Sequence, residues 1–222
     1  MTTPTVNHDH LIQEDVKEEL AWAPQVEDAH VGVSVLDGIV TLSGEVDTYT
    51  ERVEARNAAL RVSGVSVVAN DLEVRSGTHR DRTDTDIAAA ILHALDWSAD
   101  LPLGDVQVEV RDHVVRLSGV MTWNYQRLAA ERLVRGIAGV KQIDNRIELT
   151  ARVSATDTAK LIKSALVRHA LQDAKAISVT TVGSEVTLTG HVSTWAEKND
   201  AAHAAWSSPH TSAVHNKITV RP

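Results

Sequence analysis

The sequence lacks cysteine and phenylalanine altogether, and only 3% of its 222 residues are aromatic. Without cysteine there is no disulfide framework and no thiolate chemistry, so packing alone must stabilise the fold. No apolar run approaches the roughly 18 residues of a membrane span. The first ten residues have neither the basic segment nor the apolar core of a secretory signal. We therefore expect a soluble, cytoplasmic protein without a transmembrane segment, at most peripheral to a membrane.

Positive charge is scarce at one end of the chain, whose formal net charge is −8. Residues 1–74 carry fourteen acidic and four basic side chains, whereas residues 151–222 carry five acidic and eight basic ones. An anionic partner is therefore expected to meet the C-terminal part. Nucleic acid is not expected as a partner, because its binding depends on phosphate neutralisation and the whole chain is acidic.

One pattern of residues occurs three times, at 31–44, 106–119 and 177–190. Apolar residues alternate with others, a short turn follows, the alternation resumes, and a glycine closes the stretch. Alternation with period two predicts strands, and Asp37-Gly38 predicts a tight turn between them. Each stretch is therefore predicted to be a β-hairpin.

The three copies align without gaps when they are counted from their closing glycines, Gly44, Gly119 and Gly190. Leucine stands two residues before each glycine and valine four before. Asparagine stands 26 residues after each glycine, as Asn70, Asn145 and Asn216. This many matches indicate a threefold internal repeat. Each asparagine shares strand parity with apolar neighbours, so we expect it to face inward and clamp the backbone of a neighbouring loop, with ion coordination as the lesser alternative.

Each repeat predicts the order α-β-β-α-β. A first helix with one apolar stripe precedes the hairpin, and an alanine-rich second helix follows it. In the first copy Asp47 or Thr48 is the expected N-cap, with Glu51 closing a capping box on Thr48. Gly64 and Gly139 are expected to end the second helix of their copies. Pro209 replaces this glycine in the third copy, whose second helix we expect to be the least stable.

The fold class that follows is α+β, with three tandem small domains. Each is predicted to be a three-stranded mixed sheet packed on one face by two helices. The predicted boundaries are a flexible tail at 1–8, the first unit at 9–75, a linker at 76–83, the second unit at 84–150, a short linker at 151–155, and a divergent third unit at 156–222.

The motif V-x-V-x-x-G-x-V-x-L-x-G, followed by an alanine-rich helix, G-V and V-x-N-x-L, resembles the BON domain, named for bacterial OsmY and nodulation proteins. The glycines and asparagines that carry it are Gly38, Gly44, Gly64, Asn70, Gly119, Gly139, Asn145, Gly190 and Asn216. The second copy departs from the motif with His113 at the turn glycine. The resemblance implies a non-enzymatic, stress-linked protein that associates with phospholipid or cell-envelope surfaces. A relative that binds potassium implies the alternative, a soluble ion-binding or protein-interaction module.

Aromatic residues recur where the hairpin leads into the second helix: Tyr49, Trp123 with Tyr125, and Trp195. Together with Arg127 they are our candidates for surface contact, since tryptophan and tyrosine suit the headgroup region of a membrane. Local packing as a hydrophobic staple is the commoner use of such residues, and both interpretations stay open. For Trp22 and Trp97, just after the first helices, we expect a packing role between helix end and sheet, or between repeats.

No pattern of a catalytic, metal or cofactor site is present. The histidines of His8-Asp-His10, and the group His203, His210 and His215, lack the supporting ligands of a zinc site, so we expect them to be solvated. Glycine-rich phosphate loops, nucleophile elbows and paired-carboxylate motifs do not occur. The sequence therefore predicts a binding protein without catalytic residues, bound metal or cofactor, and leaves its oligomeric state open.

Overall fold

The computed structural model describes residues 4–75, 82–101, 104, 106–150, 158–168 and 176–221. These form three units with the same order of elements, which confirms the predicted α+β fold of three tandem mixed sheets. Residues 76–81 and 151–157, which include most of the two predicted linkers, lie outside the described residues.

The helices and strands of the three units have the following bounds. The first unit contains α1 (Pro4–Trp22), β1 (Val31–Leu36), β2 (Ile39–Val46), α2 (Tyr49–Arg61) and β3 (Val67–Val74). The second contains α3 (Asp84–Asp96), β4 (Val106–Arg111), β5 (Val114–Met121), α4 (Asn124–Arg135) and β6 (Gln142–Leu149). The third contains α5 (Thr158–Arg168), β7 (Ile177–Val182), β8 (Glu185–Val192), α6 (Trp195–Trp206) and β9 (Ala213–Val220).

Within each unit the middle strand pairs antiparallel with the first strand and parallel with the third. The closing glycine lies opposite the first residue of the hairpin, as Gly44 does opposite Val31. Gly44 has a φ of +118°, and a Cβ there would collide with the carbonyl oxygen of His30. Gly190 has the same relation to Ala176. The glycine is needed because the two strands approach too closely for any side chain.

Each unit has its own apolar core between its sheet and its two helices. The second helix presents small residues to the sheet, such as the fully buried Ala55 and Ala59 of α2. Small side chains allow the helix axis to approach the strands closely, as the alanine stripe predicts. The larger core residues come from the first helix and from the strands, for example Leu20 of α1 and Leu42 of β2.

The start of α1 corrects the predicted tail. The helix begins at Pro4, so residues 4–8 belong to it. Proline is favoured in the first turn, because its φ is already helical and its missing N–H would have no partner there. At α2 the Thr48 hydroxyl accepts from the Glu51 amide, as expected, but the Glu51 carboxylate accepts from the amides of Asp47 and Glu27, both at 2.8 Å.

Candidate functional site

The three asparagines tie the last strand of each unit to its second helix. The Asn70 amide nitrogen donates to the Arg52 carbonyl at 3.2 Å, and the Asn70 side-chain oxygen accepts from the Leu72 amide at 3.3 Å. Asn145 and Asn216 repeat both bonds. The predicted clamp is therefore present, but it holds the first turn of a helix, whereas a loop was predicted. A single side chain satisfies two backbone groups in each unit, which is a structural role.

An aspartate on the first helix locks the hairpin turn, and the sequence analysis missed it. The Asp9 carboxylate accepts from the amides of Asp37 at 2.9 Å and Gly38 at 3.0 Å. In the second unit Asp84 accepts from the amides of Asp112 and His113 in the same way. These bonds lower the pKa of Asp84, chiefly through the His113 amide. The recurrence of aspartate 35 residues before the closing glycine was the available signal.

His113 fits the turn position that carries glycine in the first unit. Its φ is +65°, and its ring nitrogen Nδ1 lies 3.0 Å from the carbonyl oxygen of Gly139. Histidine tolerates the left-handed region better than most residues. The ring contact therefore joins the turn to the segment that precedes β6.

Tyr49 lies between the first and second units. It packs against the core of the second unit, whose helix α4 also contacts α2. The Thr50 hydroxyl donates to the Arg135 carbonyl at 3.0 Å, and the Arg135 guanidinium lies 3.5 Å from the Glu54 carboxylate. Burial raises the pKa of the Tyr49 hydroxyl, and the nearby Glu131 carboxylate adds to this. Tyr49 is thus a contact between units.

Arg127 lies between the second and third units. Its guanidinium stands 4.7 Å from the ring centroid of Trp206, at the end of α6. Burial lowers the pKa of Arg127, and the Glu131 carboxylate opposes this shift.

In the third unit Trp195 is half-buried, and its indole nitrogen is fully covered. The Lys198 ammonium lies 4.5 Å from the Trp195 ring centroid.

Of the five predicted contact residues, only Trp123 and Tyr125 are exposed, beside the start of α4. The Trp123 amide donates to the Gln126 side-chain oxygen at 3.0 Å, which closes the start of that helix. The structure therefore does not bring the five residues together on one surface.

Trp22 and Trp97 are the most exposed tryptophans of the described residues, at 84% and 80%. The expectation that they pack between helix end and sheet, or between repeats, is wrong, because a packed side chain would be covered. Each stands two residues beyond the last buried leucine of its helix, Leu20 or Leu95, so its side chain points past the core. The Trp97 ring lies against a helical neighbour, His93, with ring centroids 5.7 Å apart.

The first helix of the third unit differs from the other two in charge. Helix α5 has the sequence TAKLIKSALVR and contains no acidic residue. It exposes Leu161 and Val167 beside Lys160, Lys163 and Arg168. A groove of about 210 Å³ opens between α5 and the end of α6, with Leu161, Arg168 and Pro209 in its lining.

The corresponding groove of the first unit is acidic. Asp15, Glu18 and Glu19 line it together with Trp22, and the Arg61 guanidinium pairs with Glu19 across it. The same place in two units therefore presents opposite charge. This contrast agrees with the charge distribution along the sequence.

Neither a metal-ligand cluster nor a membrane-spanning helix occurs among the described residues. No three histidine or acidic side chains in that part of the chain lie together as metal ligands would. None of the helices that the structure describes has the length and apolar character to cross a bilayer.

Comparison with known proteins gives a family and one clear relative. The BON domain family matches residues 8–76, 83–151 and 154–222. Osmotically-inducible protein Y of Escherichia coli strain K12 is 30% identical over 144 residues, covering 63% of this chain and 72% of that protein.

Two solved structures of CdsD, a structural protein of the type III secretion system of Chlamydia trachomatis, also match. Both are 15% identical to this chain. One covers 96% of this chain and 93% of its own, with a TM-score of 0.28. The second, the C-terminal domain, covers 100% of both chains with a TM-score of 0.24. At these scores the likeness supports no argument.

Proposed function

The chain belongs to the BON domain family, in three tandem copies, and from this premise we propose a non-enzymatic, stress-linked protein that associates peripherally with anionic phospholipid surfaces. The similarity to a protein named as osmotically inducible supports the link to osmotic stress. The observation that carries the proposed contact is the outer face of α5, which combines exposed apolar and basic residues.

The α5 face has the composition of a helix that lies at a membrane interface. Leu161 and Val167 can enter the boundary between headgroups and acyl chains, as in other amphipathic interfacial helices. Lys160, Lys163 and Arg168 can reach the phosphates around them. A basic residue near an anionic surface contributes about 1 kcal/mol, so the three together give useful affinity at moderate salt.

The first helices of the other two units are less suited to this contact. Trp22 and Trp97 are exposed enough to sit at headgroup depth. However, Asp15, Glu18 and Glu19 surround Trp22, and they repel anionic headgroups. We therefore assign the primary contact to the third unit.

Vesicle flotation tests the proposal with the full chain. We expect binding to vesicles containing phosphatidylglycerol, weaker binding at higher salt, and little binding to purely zwitterionic vesicles. Lys160→Gln with Lys163→Gln should weaken binding roughly thirtyfold, since each lysine contributes about 1 kcal/mol, or about fivefold. Leu161→Ser should weaken it at both salt concentrations, because its contribution is apolar.

The matched control is Lys217→Gln, which neutralises an exposed lysine on β9 of the same unit. It should bind vesicles as the unaltered chain does. No binding to any vesicle would reject the membrane contact, and an equal loss in the Lys217 variant would reject its assignment to α5. The alternative, a soluble potassium-binding or protein-interaction module, predicts no flotation; thermal stability in potassium against sodium then tests the ion. The cytoplasmic location stays a prediction.

A further inference from the structure

Two positions of the repeat lie at the contacts between units. The fifth residue after the closing glycine is Tyr49, Asn124 or Trp195, at the start of the second helix. The sixteenth residue after that glycine is Leu60, Arg135 or Trp206, near the end of the same helix. We call these the fifth and sixteenth positions.

The first unit meets the second through these positions in a head-to-tail manner. Tyr49, at the fifth position, packs against the core of the second unit, and the amide of Ile143 bonds to its hydroxyl. The sixteenth position of the second unit, Arg135, lies beside it, where its carbonyl accepts from Thr50 and its guanidinium pairs with Glu54. The start of α2 thus contacts the end of α4.

The second unit meets the third in the same sense. Arg127, in the first turns of α4, stacks on Trp206, the sixteenth position of the third unit. The Asn124 side-chain oxygen, at the fifth position, is fully buried. The start of α4 therefore contacts the end of α6, with the same polarity as the first junction.

Three observations extend this relation from the third unit back to the first. Helices α6 and α2 are in contact, although they belong to the two ends of the chain. Leu60, the sixteenth position of the first unit, is only 8% exposed, yet it is not part of the buried core of its own unit. The indole nitrogen of Trp195, the fifth position of the third unit, is buried with no hydrogen-bond partner among the described residues.

We infer that Trp195 occupies in the first unit the site that Tyr49 occupies in the second, against Leu60 and Val68, so that three head-to-tail junctions close the units into a ring. The surface made by the fifth and sixteenth positions is then an interaction surface whose partner is another BON unit. In this chain every such surface is occupied within the molecule. A heterologous contact that closes on itself leaves no free end for a further copy. The chain is therefore monomeric, and Tyr49, Arg127 and Trp195 face other units instead of a membrane.

The absence of cysteine allows a direct test with a single spin label. Arg56 is exposed and is the counterpart of Glu131, whose carboxylate raises the pKa of Tyr49 at the first junction. A nitroxide on Arg56→Cys should remove most of the intensity of the Trp195 indole signal, and reduction of the nitroxide should restore it. The five tryptophans give five indole signals, which single replacements by phenylalanine assign.

A mixed sample separates closure within one chain from contact between chains. Isotope-labelled chain without a nitroxide is combined with unlabelled chain that carries it. The ring predicts that the Trp195 signal keeps its full intensity in this mixture. An unaffected Trp195 signal in the single-chain sample, or a loss of signal in the mixture, would overturn the proposed closure.

Hydrogen exchange gives a second, independent measurement. Trp195→Ala should speed amide exchange at the end of α2 about fivefold or more, as expected for coupling between sites that contact each other. Trp123→Ala removes an aromatic residue at the start of another second helix and should leave α2 unchanged. If Trp195→Ala affects exchange only within the third unit, the ring is open.

Discussion

The side-chain amide of Asn70 donates to the carbonyl of Arg52 at 3.2 Å and so ties strand β3 to the first turn of α2. We expect Asn70→Ala to lower the free energy of unfolding by about 1–3 kcal/mol, because two backbone groups lose a partner in a half-buried place. Urea denaturation measures this loss. Asn57→Ala, on the same helix, should change stability by no more than about 0.5 kcal/mol. Equal effects of the two replacements would show that the clamp contributes nothing.

Gly44 should tolerate no side chain. Gly44→Ala forces a Cβ into the carbonyl oxygen of His30 and also strains a φ of +118°. Gly183→Ala has only the strain, since nothing lies within 4 Å of its Cβ, and should cost about 1–2 kcal/mol. We expect Gly44→Ala to cost clearly more, as urea denaturation and amide exchange in β2 will measure. A smaller loss at Gly44 than at Gly183 would contradict the close approach of the strands.

Asp84 should make the second unit sensitive to acid. Hydrogen bonds from the amides of His113 and Asp112 lower the pKa of Asp84 in the folded state. A lowered pKa gives stability that is present above the unfolded value, near 4, and is lost as the pH falls through the folded value. Thermal unfolding between about pH 5 and pH 2 should therefore depend less on pH in Asp84→Asn than in the unaltered chain. Asp96→Asn, at the end of the same helix, is the control and should keep the full dependence.

The contact between Arg127 and Trp206 should be measurable as a coupling between two units. A double-mutant cycle with Arg127→Gln and Trp206→Leu should give about 0.5–2 kcal/mol, the range of a partly desolvated cation–π pair. The clamp of Asn145 stays intact in these variants, because it uses the backbone carbonyl of Arg127. Additive single effects would mean that the stacking carries no energy between the units.

The elements of each unit could be predicted from the sequence because their signals are local and occur three times. Alternating valines define the strands, and Gly44 marks the end of the hairpin by its position alone. Asn70 could be recognised as inward-facing from strand parity. Its partner could not, because nothing in the sequence tells a loop carbonyl from the helical carbonyl of Arg52.

The sequence could not predict which aromatic residues are covered by another unit and which are exposed. Tyr49 and Trp22 each stand at one end of a helix, yet one is covered by a neighbouring unit and the other is exposed. The contact of Tyr49 joins one position of the repeat to a different position of the next copy. An alignment of the copies compares equivalent positions, so it does not reveal a contact between two different positions. The single aspartates at Asp9 and Asp84 were missed for another reason, since a lone acidic residue on a helix usually faces solvent.

The strand pairing has a consequence for how the chain folds. In every unit the parallel pair joins residues 28 positions apart, as in Ile39 with Val67 or Val114 with Gln142, and no described sheet contains strands of two units. Pairings of such short range favour rapid folding. A unit can complete its sheet as soon as its own last strand has left the ribosome, before the next unit is synthesised. The junctions between second helices then form last, between units that are already folded.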